Sequence, residues 1–218
     1  MQNLIAIVGG TGAEGRGLAA RFAKAGAEVR IGSRNLEKAQ ETARRIGENA
    51  SGHSNVDAVA GAAIVILTVP LSAQVETLKS IRTSFAPGAI LVDATVPLEI
   101  AIGGRVSRTL TLWDGSAAQQ AARLVPGVPV VAAFHALSAE ALGDLDHPLD
   151  CDALLCGDNA EAKTAVMKLA ETIPGVRAID AGTLDNARLL ESAAALLISL
   201  NLRHKVKESG MRITGLRT

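Results

Sequence analysis

The feature that most restricts this chain is its opening strand, turn and helix. Leu4-Ile5-Ala6-Ile7-Val8 is apolar throughout, as a strand covered on both faces must be. It runs without a spacer into Gly9-Gly10-Thr11-Gly12-Ala13-Glu14-Gly15, and a helical pattern follows to about residue 25, closed by Gly26. The turn contains G-x-G-x-x-G at Gly10, Gly12 and Gly15. By itself that pattern is weak, but directly after a buried strand and at the start of a helix it is the arrangement that cradles a dinucleotide pyrophosphate. Gly10 lets the chain turn tightly. Gly12 removes a side chain that would block the phosphates, and Gly15 lets the helix lie close to the strand. The phosphates then meet the unpaired N–H groups of the helix start, around Ala13 and Glu14.

The rest of the sequence repeats the alternation. Apolar strands are expected at 28–31, 64–69, 89–92, 128–133, 153–156 and 176–180. Helices are expected at 36–46, 73–84, 116–124, 159–172 and 184–208, and residues 97–113 read as a loop. Strands alternating with helices imply an α/β fold with a doubly wound, mostly parallel sheet. The last helix is apolar around much of its circumference. Thr183 is expected as its N-cap and Gly210 as its C′ glycine. About 35 residues cannot build a core of their own, so this segment must pack on the main body, on a second subunit, or both. We therefore expect a nucleotide-binding domain over 1–182 and a short C-terminal helical extension over 183–218 that makes substrate or dimer contacts.

Composition removes several function classes. Lys+Arg and Asp+Glu are 22 each, so the formal net charge is zero; a general nucleic-acid binder needs a basic excess. The only aromatics are Phe22, Phe85, Phe134 and Trp113, too few for a base-stacking surface. Cys151 and Cys156 form neither a disulfide scaffold nor a zinc pattern, so they read as cytosolic thiols and no metal site is expected. Met1-Gln2-Asn3 lacks the basic segment of a signal peptide. The uncharged run 58–75 carries Gly61, Pro70, Ser72 and Gln74 and reads as a helix end, a buried strand and a loop, not a membrane span. A cytoplasmic protein is expected.

The end of the second strand selects the nucleotide. An NAD site places Asp or Glu there, to bind the ribose hydroxyls. This chain has Gly32-Ser33-Arg34, with Lys38 four residues on. A carboxylate would repel a 2′-phosphate, whereas a hydroxyl, a guanidinium and an ammonium bind it. NADP(H) is expected, with Thr11 adding a hydroxyl from the facing loop. Other ligand groups belong beyond the remaining strand ends. These are Thr68-Val69-Pro70-Leu71, Asp93-Ala94-Thr95-Val96-Pro97 and Phe134-His135-Ala136-Leu137-Ser138-Ala139. His135 alone among four histidines follows a buried strand in this way, so it is the candidate catalytic residue. There is no Tyr in the chain, which excludes a Tyr-Lys acid pair, and no catalytic triad is evident. Chemistry by positioning, such as hydride transfer between two planar cofactors, suits these apolar strand ends.

These residues resemble the NADPH:coenzyme F420 oxidoreductases, also called F420-dependent NADP reductases, over nearly the whole chain. The resemblance rests on Gly9-Gly10-Thr11-Gly12 with Gly15, Gly32-Ser33-Arg34 with Lys38, and Phe134-His135 with Ala139. It continues in Leu155-Cys156-Gly157-Asp158, Asp180-Ala181-Gly182-Thr183-Leu184, Arg188-Leu189-Leu190-Glu191 and Gly210-Met211-Arg212-Ile213-Thr214-Gly215-Leu216. It implies a Rossmann-type fold, a homodimer, and reversible hydride transfer between NADP(H) and the 5-deazaflavin coenzyme F420. It implies that Thr11, Ser33, Arg34 and Lys38 hold the 2′-phosphate and that Val69 and Pro70 border the nucleotide. Ala139 would hold the nicotinamide amide through its backbone, with His135 and Leu137 against the deazaflavin. The basic Arg203, Lys205, Lys207, Arg212 and Arg217 would seat that cofactor's acidic tail. Leu71, where some members carry Trp, and Ser138, where others carry Pro, depart from the family. From the residues alone, a flavin, imine or keto-acid reductase and a non-enzymatic NADP sensor are alternatives.

Overall fold

A computed structural model describes residues 4–216; the expectations for Met1-Gln2-Asn3 and Arg217 lie outside the described residues. In chain order the elements are β1 (Leu4–Val8), α1 (Ala13–Lys24), β2 (Glu28–Ser33), α2 (Leu36–Ile46), β3 (Ala50–Ser54), α3 (Asn55–Val59), β4 (Ile64–Leu67) and α4 (Leu71–Ile81). They continue as β5 (Ile90–Asp93), α5 (Ala117–Leu124), β6 (Val130–Ala132), α6 (Ala139–Gly143), β7 (Cys151–Gly157), α7 (Ala160–Ala170), β8 (Val176–Asp180) and α8 (Ala187–His204). The eight strands form one sheet in the order β3-β2-β1-β4-β5-β6-β7-β8. All neighbours are parallel except β6 and β7. The order runs outward from β1 in both directions, so a crevice opens beyond the carboxyl ends of β1 and β4.

Burial follows from the strand alternation. Ile5 and Ile7 of β1 face one layer with Leu18, Phe22, Ile31, Leu142, Leu155 and Val166. Leu4, Ala6 and Val8 face the other, with Val59, Leu67, Leu78, Ile81, Leu91 and Leu190. The C-terminal helix thus covers part of the second layer. Arg21 of α1 is 3% exposed and donates to the carbonyls of Leu142, Ala141, Asp144 and His147. This satisfies the carbonyls at the end of α6 and pins that short helix to α1.

Three expectations change. Ala50–Ser54 is an edge strand that hydrophobic pattern did not reveal, because A-S-G-H-S is polar and only half-buried. Its pairing with β2 is decided by backbone bonds and by α2 above it. The last helix ends at His204, not at Glu208, so its 18 residues span about 27 Å. Lys205 takes a left-handed conformation and its N–H bonds to the Asn201 carbonyl, while the Asn201 side chain accepts the Ser209 N–H. Gly210 is therefore not the C′ residue. Thr183 precedes a 3-10 turn and its side chain makes no cap.

Beyond α8 the chain is a strap. Buried Asp152 accepts from Arg177, Arg212 and the Ile213 N–H, and the Asp152 N–H bonds to the Met211 carbonyl. These bonds tie the tail to the start of β7.

Gly52 carries the approach of α2 to β3. A Cβ there would meet the backbone of Ala39 and Gln40, which cannot withdraw as a flexible side chain could. We predict that Gly52→Ala lowers stability by about 1–3 kcal/mol, read as a lower urea midpoint with an unchanged slope.

Candidate functional site

The glycine turn is set by backbone bonds. The N–H groups of Gly9 and Gly10 both donate to the Gly32 carbonyl, and the Gly12 N–H donates to that of Gly9. A Cβ on Gly15 would lie 2.7 Å from both the Gly10 Cα and the Thr68 Oγ1, so only glycine lets α1 start this close to the strand ends. No side chain caps α1. Its first N–H groups are left for an external acceptor.

Two pockets meet at this point. The smaller, about 230 Å³, is lined by Gly9, Thr11, Gly12, Ser33, Arg34 and Asn55 together with Thr68, Val69 and Pro70. The larger, about 730 Å³, shares Thr68, Val69 and Pro70 and extends past Glu14, His135, Leu137 and Ala139 to the inner face of α8. The expected residues thus fall into two groups on one continuous path. Gly10 and Gly15 pack behind the turn. Ala13 and Lys38 line neither pocket, and Lys38 is exposed on the first turn of α2. A dinucleotide fits this arrangement: hydroxyls and a guanidinium at one end, an uncapped helix N-terminus in the middle, and a roomier crevice at the other end.

Phe134 aims the third strand end. It is buried in the left-handed region at φ 72°, where non-glycine residues are rare. Its ring packs on Phe22, and its carbonyl accepts the Leu137 N–H. The turn sends His135 into the crevice wall. His135 is 9% exposed, and neither ring nitrogen has a hydrogen-bond partner. Burial pushes its pKa down to about 4, while the nearby Thr95 backbone, outside hydrogen-bonding geometry, pulls the other way. The imidazole is neutral at physiological pH.

Sequence reasoning placed Glu14 at the helix start without its electrostatic setting, and gave no role to Asp93 or Glu191. Asp93 ends β5 fully buried. It accepts the Thr95 N–H at 2.8 Å and the Gln74 Nε2–H at 2.6 Å. Burial raises its pKa to about 6, the hydrogen bonds opposing that shift. Glu14, on the first turn of α1, is raised to about 8, first by burial and then by Asp93. Glu191 of α8 is 2% exposed and accepts the Ala117 and Ala118 N–H groups at 3.1 Å each, so it caps α5 from another helix. Burial raises it to about 8, against those two bonds. A lone Glu in an apolar helix face was the available clue to Glu191; nothing in the sequence placed it against α5.

The basic tail divides. Lys207 lines the larger crevice, and Ser138 Oγ donates to its carbonyl. Arg203 and Lys205 are exposed. Arg212 is committed to Asp150 and Asp152, which corrects its expected part in seating an acidic ligand. No group of three or more His, Cys, Asp or Glu is arranged for a metal among the described residues. None of the described helices is long and apolar enough to cross a membrane.

The raised acids fix the sign of a pH effect. The folded chain holds protons on Glu14 and Glu191 that the unfolded chain loses near pH 4.5, so stability falls as pH rises from about 4.5 to about 8. We predict a thermal midpoint that drops between pH 6 and 8, with a shallower drop in Glu191→Gln. Glu191→Ala, which strands two buried N–H groups, should cost about 2 kcal/mol or more.

Comparison with known proteins agrees with this geometry. A family profile described as NADP oxidoreductase, coenzyme F420-dependent, matches residues 4–97. The F420-dependent NADP reductase of Methanothermobacter thermautotrophicus is 49% identical over 97% of this chain and 95% of its own length. That of Methanocaldococcus jannaschii is 42% identical over 97% of this chain and 98% of its own. A crystal structure from Arthrobacter sp. FB24, 24% identical, superposes with a TM-score of 0.85 over 97% of this chain and 99% of that one, and shows that the Rossmann-type fold is shared. With relatives of this identity over nearly full length on both sides, the chain belongs to the F420-dependent NADP reductase family of NADP-dependent oxidoreductases.

Proposed function

We propose that the chain moves a hydride reversibly between NADP(H) and the 5-deazaflavin coenzyme F420. The observation that carries this reading is the junction at Thr68, Val69 and Pro70, where a phosphate-type pocket opens into a crevice large enough for two stacked rings. Thr11, Ser33 and Arg34 bind the 2′-phosphate, and Lys38 adds positive charge from the next helix turn. Gly12 and the N–H groups of Ala13 and Glu14 receive the pyrophosphate. Val69 and Pro70 border the nicotinamide ribose. The Ala139 backbone holds the carboxamide, while His135 and Leu137 flank the deazaflavin.

In this reading the protein contributes binding, orientation and exclusion of water, and the two ring systems supply their own electronics. A neutral His135 suits an orienting role: it can hydrogen-bond to a ring edge without adding charge beside a departing hydride. We assign residues 1–182 to the nucleotide-binding domain and 183–218 to a C-terminal helical extension for substrate and dimer contacts. The exposed Leu189, Leu196 and Leu200 recur at helical spacing along the outer side of α8, and support a homodimer through that face. Two free, buried cysteines fit a reducing compartment, the cytoplasm.

The test is anaerobic mixing of protein, NADPH and oxidised coenzyme F420, with FMN as a parallel acceptor. Loss of deazaflavin absorbance with NADPH and not with NADH is the expected result; reduction of FMN alone would overturn the deazaflavin assignment. Arg34→Ala should weaken NADPH binding by roughly 10- to 100-fold, the worth of one charged hydrogen-bonding contact, and leave NADH binding nearly unchanged. An equal loss for both would remove Arg34 from the 2′-phosphate. His135→Ala should keep NADPH affinity and slow single-turnover hydride transfer; unchanged transfer would make His135 part of the wall only.

A further inference from the structure

Glu14 occupies an unusual place for a carboxyl. It stands two residues after Gly12, on the first turn of α1, and so is carried rigidly by the helix that receives the pyrophosphate. It lines the larger crevice with Val69, Pro70, His135 and Ala139. A dinucleotide anchored at Ser33 and Arg34, with its phosphates on α1, must carry its nicotinamide past Val69 and Pro70 into that crevice. A ring bound there would be bordered by Glu14 and His135, which line the same crevice. His135 supplies a second, independent sign of a ligand there, because both its nitrogens are buried without a partner.

The titratable and charged groups facing this space are few. His135 lines it from the turn after β6, Glu140 from α6 and Lys207 from the strap, and Asp93 lies buried behind the wall, near enough to act on Glu14. Glu191 lies further back, capping α5. Among the described residues no hydrogen bond or cation bears on the Glu14 carboxyl, which is part-buried in the crevice wall; desolvation there and Asp93 both disfavour its charge. A carboxyl in that setting keeps its proton until a cation arrives next to it. The reaction itself creates that cation, since the nicotinamide ring is uncharged when reduced and positive when oxidised.

We propose that Glu14 is a charge-compensating residue of the crevice: it stays protonated beside reduced nicotinamide and releases its proton when the ring is oxidised to a cation. This rests on the nicotinamide reading of the crevice. In balance, the C4–H bond of the reduced nucleotide breaks and its electron pair leaves with the hydride to the acceptor carbon. The Glu14 O–H bond breaks as the ring becomes positive, and one proton becomes available to the acceptor, whose ring nitrogen must take one up on reduction. The carboxylate is reprotonated through the crevice mouth when reduced nucleotide returns.

The readout is proton release on binding, without turnover. NADP⁺ or NADPH is titrated into weakly buffered protein at pH 7 with an indicator dye, and affinities are measured between pH 6 and 9. Both nucleotides carry the same 2′-phosphate, so its ionisation cancels in the comparison. Wild type should release roughly half a proton or more on binding NADP⁺ and almost none on binding NADPH. Its NADP⁺ affinity should rise with pH to about 8 by up to tenfold per pH unit. Glu14→Gln and Glu14→Leu should abolish the differential release. With each variant's own NADPH affinity as the reference, they should lose about tenfold in the ratio of NADP⁺ to NADPH affinity at pH 8.5. If both nucleotides bind and the release is the same in wild type and Glu14→Gln, the proposal is overturned while the nucleotide site stands. If neither nucleotide binds wild type, both are overturned.

Discussion

The close approach of α1 to the ends of β1 and β4 is the constraint on which the rest of this molecule depends. At Gly15 the helix touches the Gly10 Cα and the Thr68 hydroxyl with no room for a side chain. That contact directs the uncapped helix N-terminus, with its unpaired N–H groups and positive dipole end, at the place where the sheet order reverses. Both pockets share the Thr68-Val69-Pro70 wall opposite this turn. Displacing α1 outward would separate the phosphate end of the site from the crevice and move Glu14 away from the floor.

Around that geometry the chain distributes polar groups in two distinct ways. Where charge serves to hold the structure, it is paired. Asp152 gathers two guanidinium groups and a backbone N–H, and its carboxyl is held well below the usual range, chiefly by Arg177. Where polar groups face the crevice, they are left short of partners. His135 is forced neutral and Glu14 has desolvation and a neighbouring acid against it, while Asp93, buried behind the wall, is only partly compensated by Gln74 and Thr95. Unsatisfied polarity costs stability. Its concentration on one wall, next to the strained backbone of Phe134, is the pattern expected where a ligand completes the environment.

Much of the fold was legible because a strand buried on both faces must be apolar along its whole length. β1 and β4 satisfy that rule, β5 does so up to Asp93, and the glycine turn located the first helix. The Ser33-Arg34 corner stood out for a chemical reason, since a 2′-phosphate demands cationic and hydroxyl groups where a ribose demands an acid, and both residues line the smaller pocket. β3 was not legible, because an edge strand held by backbone bonds needs no hydrophobic pattern. The end of α8 was not, because Lys205 leaves the helix through a left-handed turn that glycine did not mark. Arg212 looked like one of several free basic residues; only its distance to Asp150 and Asp152 shows that its charge is already used.

By itself the sequence determined the doubly wound sheet and pointed to Ser33, Arg34 and His135 as site candidates, because periodicity and local residue chemistry act over a few neighbouring positions. Only the tertiary structure decided which acids come near one another: Glu14 at the crevice wall, Asp93 buried behind it and Glu191 further back against α5. Glu14, Asp93 and Glu191 come from α1, β5 and α8, and their protonation depends on shared burial and mutual repulsion. Those are properties of the space between elements, which no stretch of sequence contains.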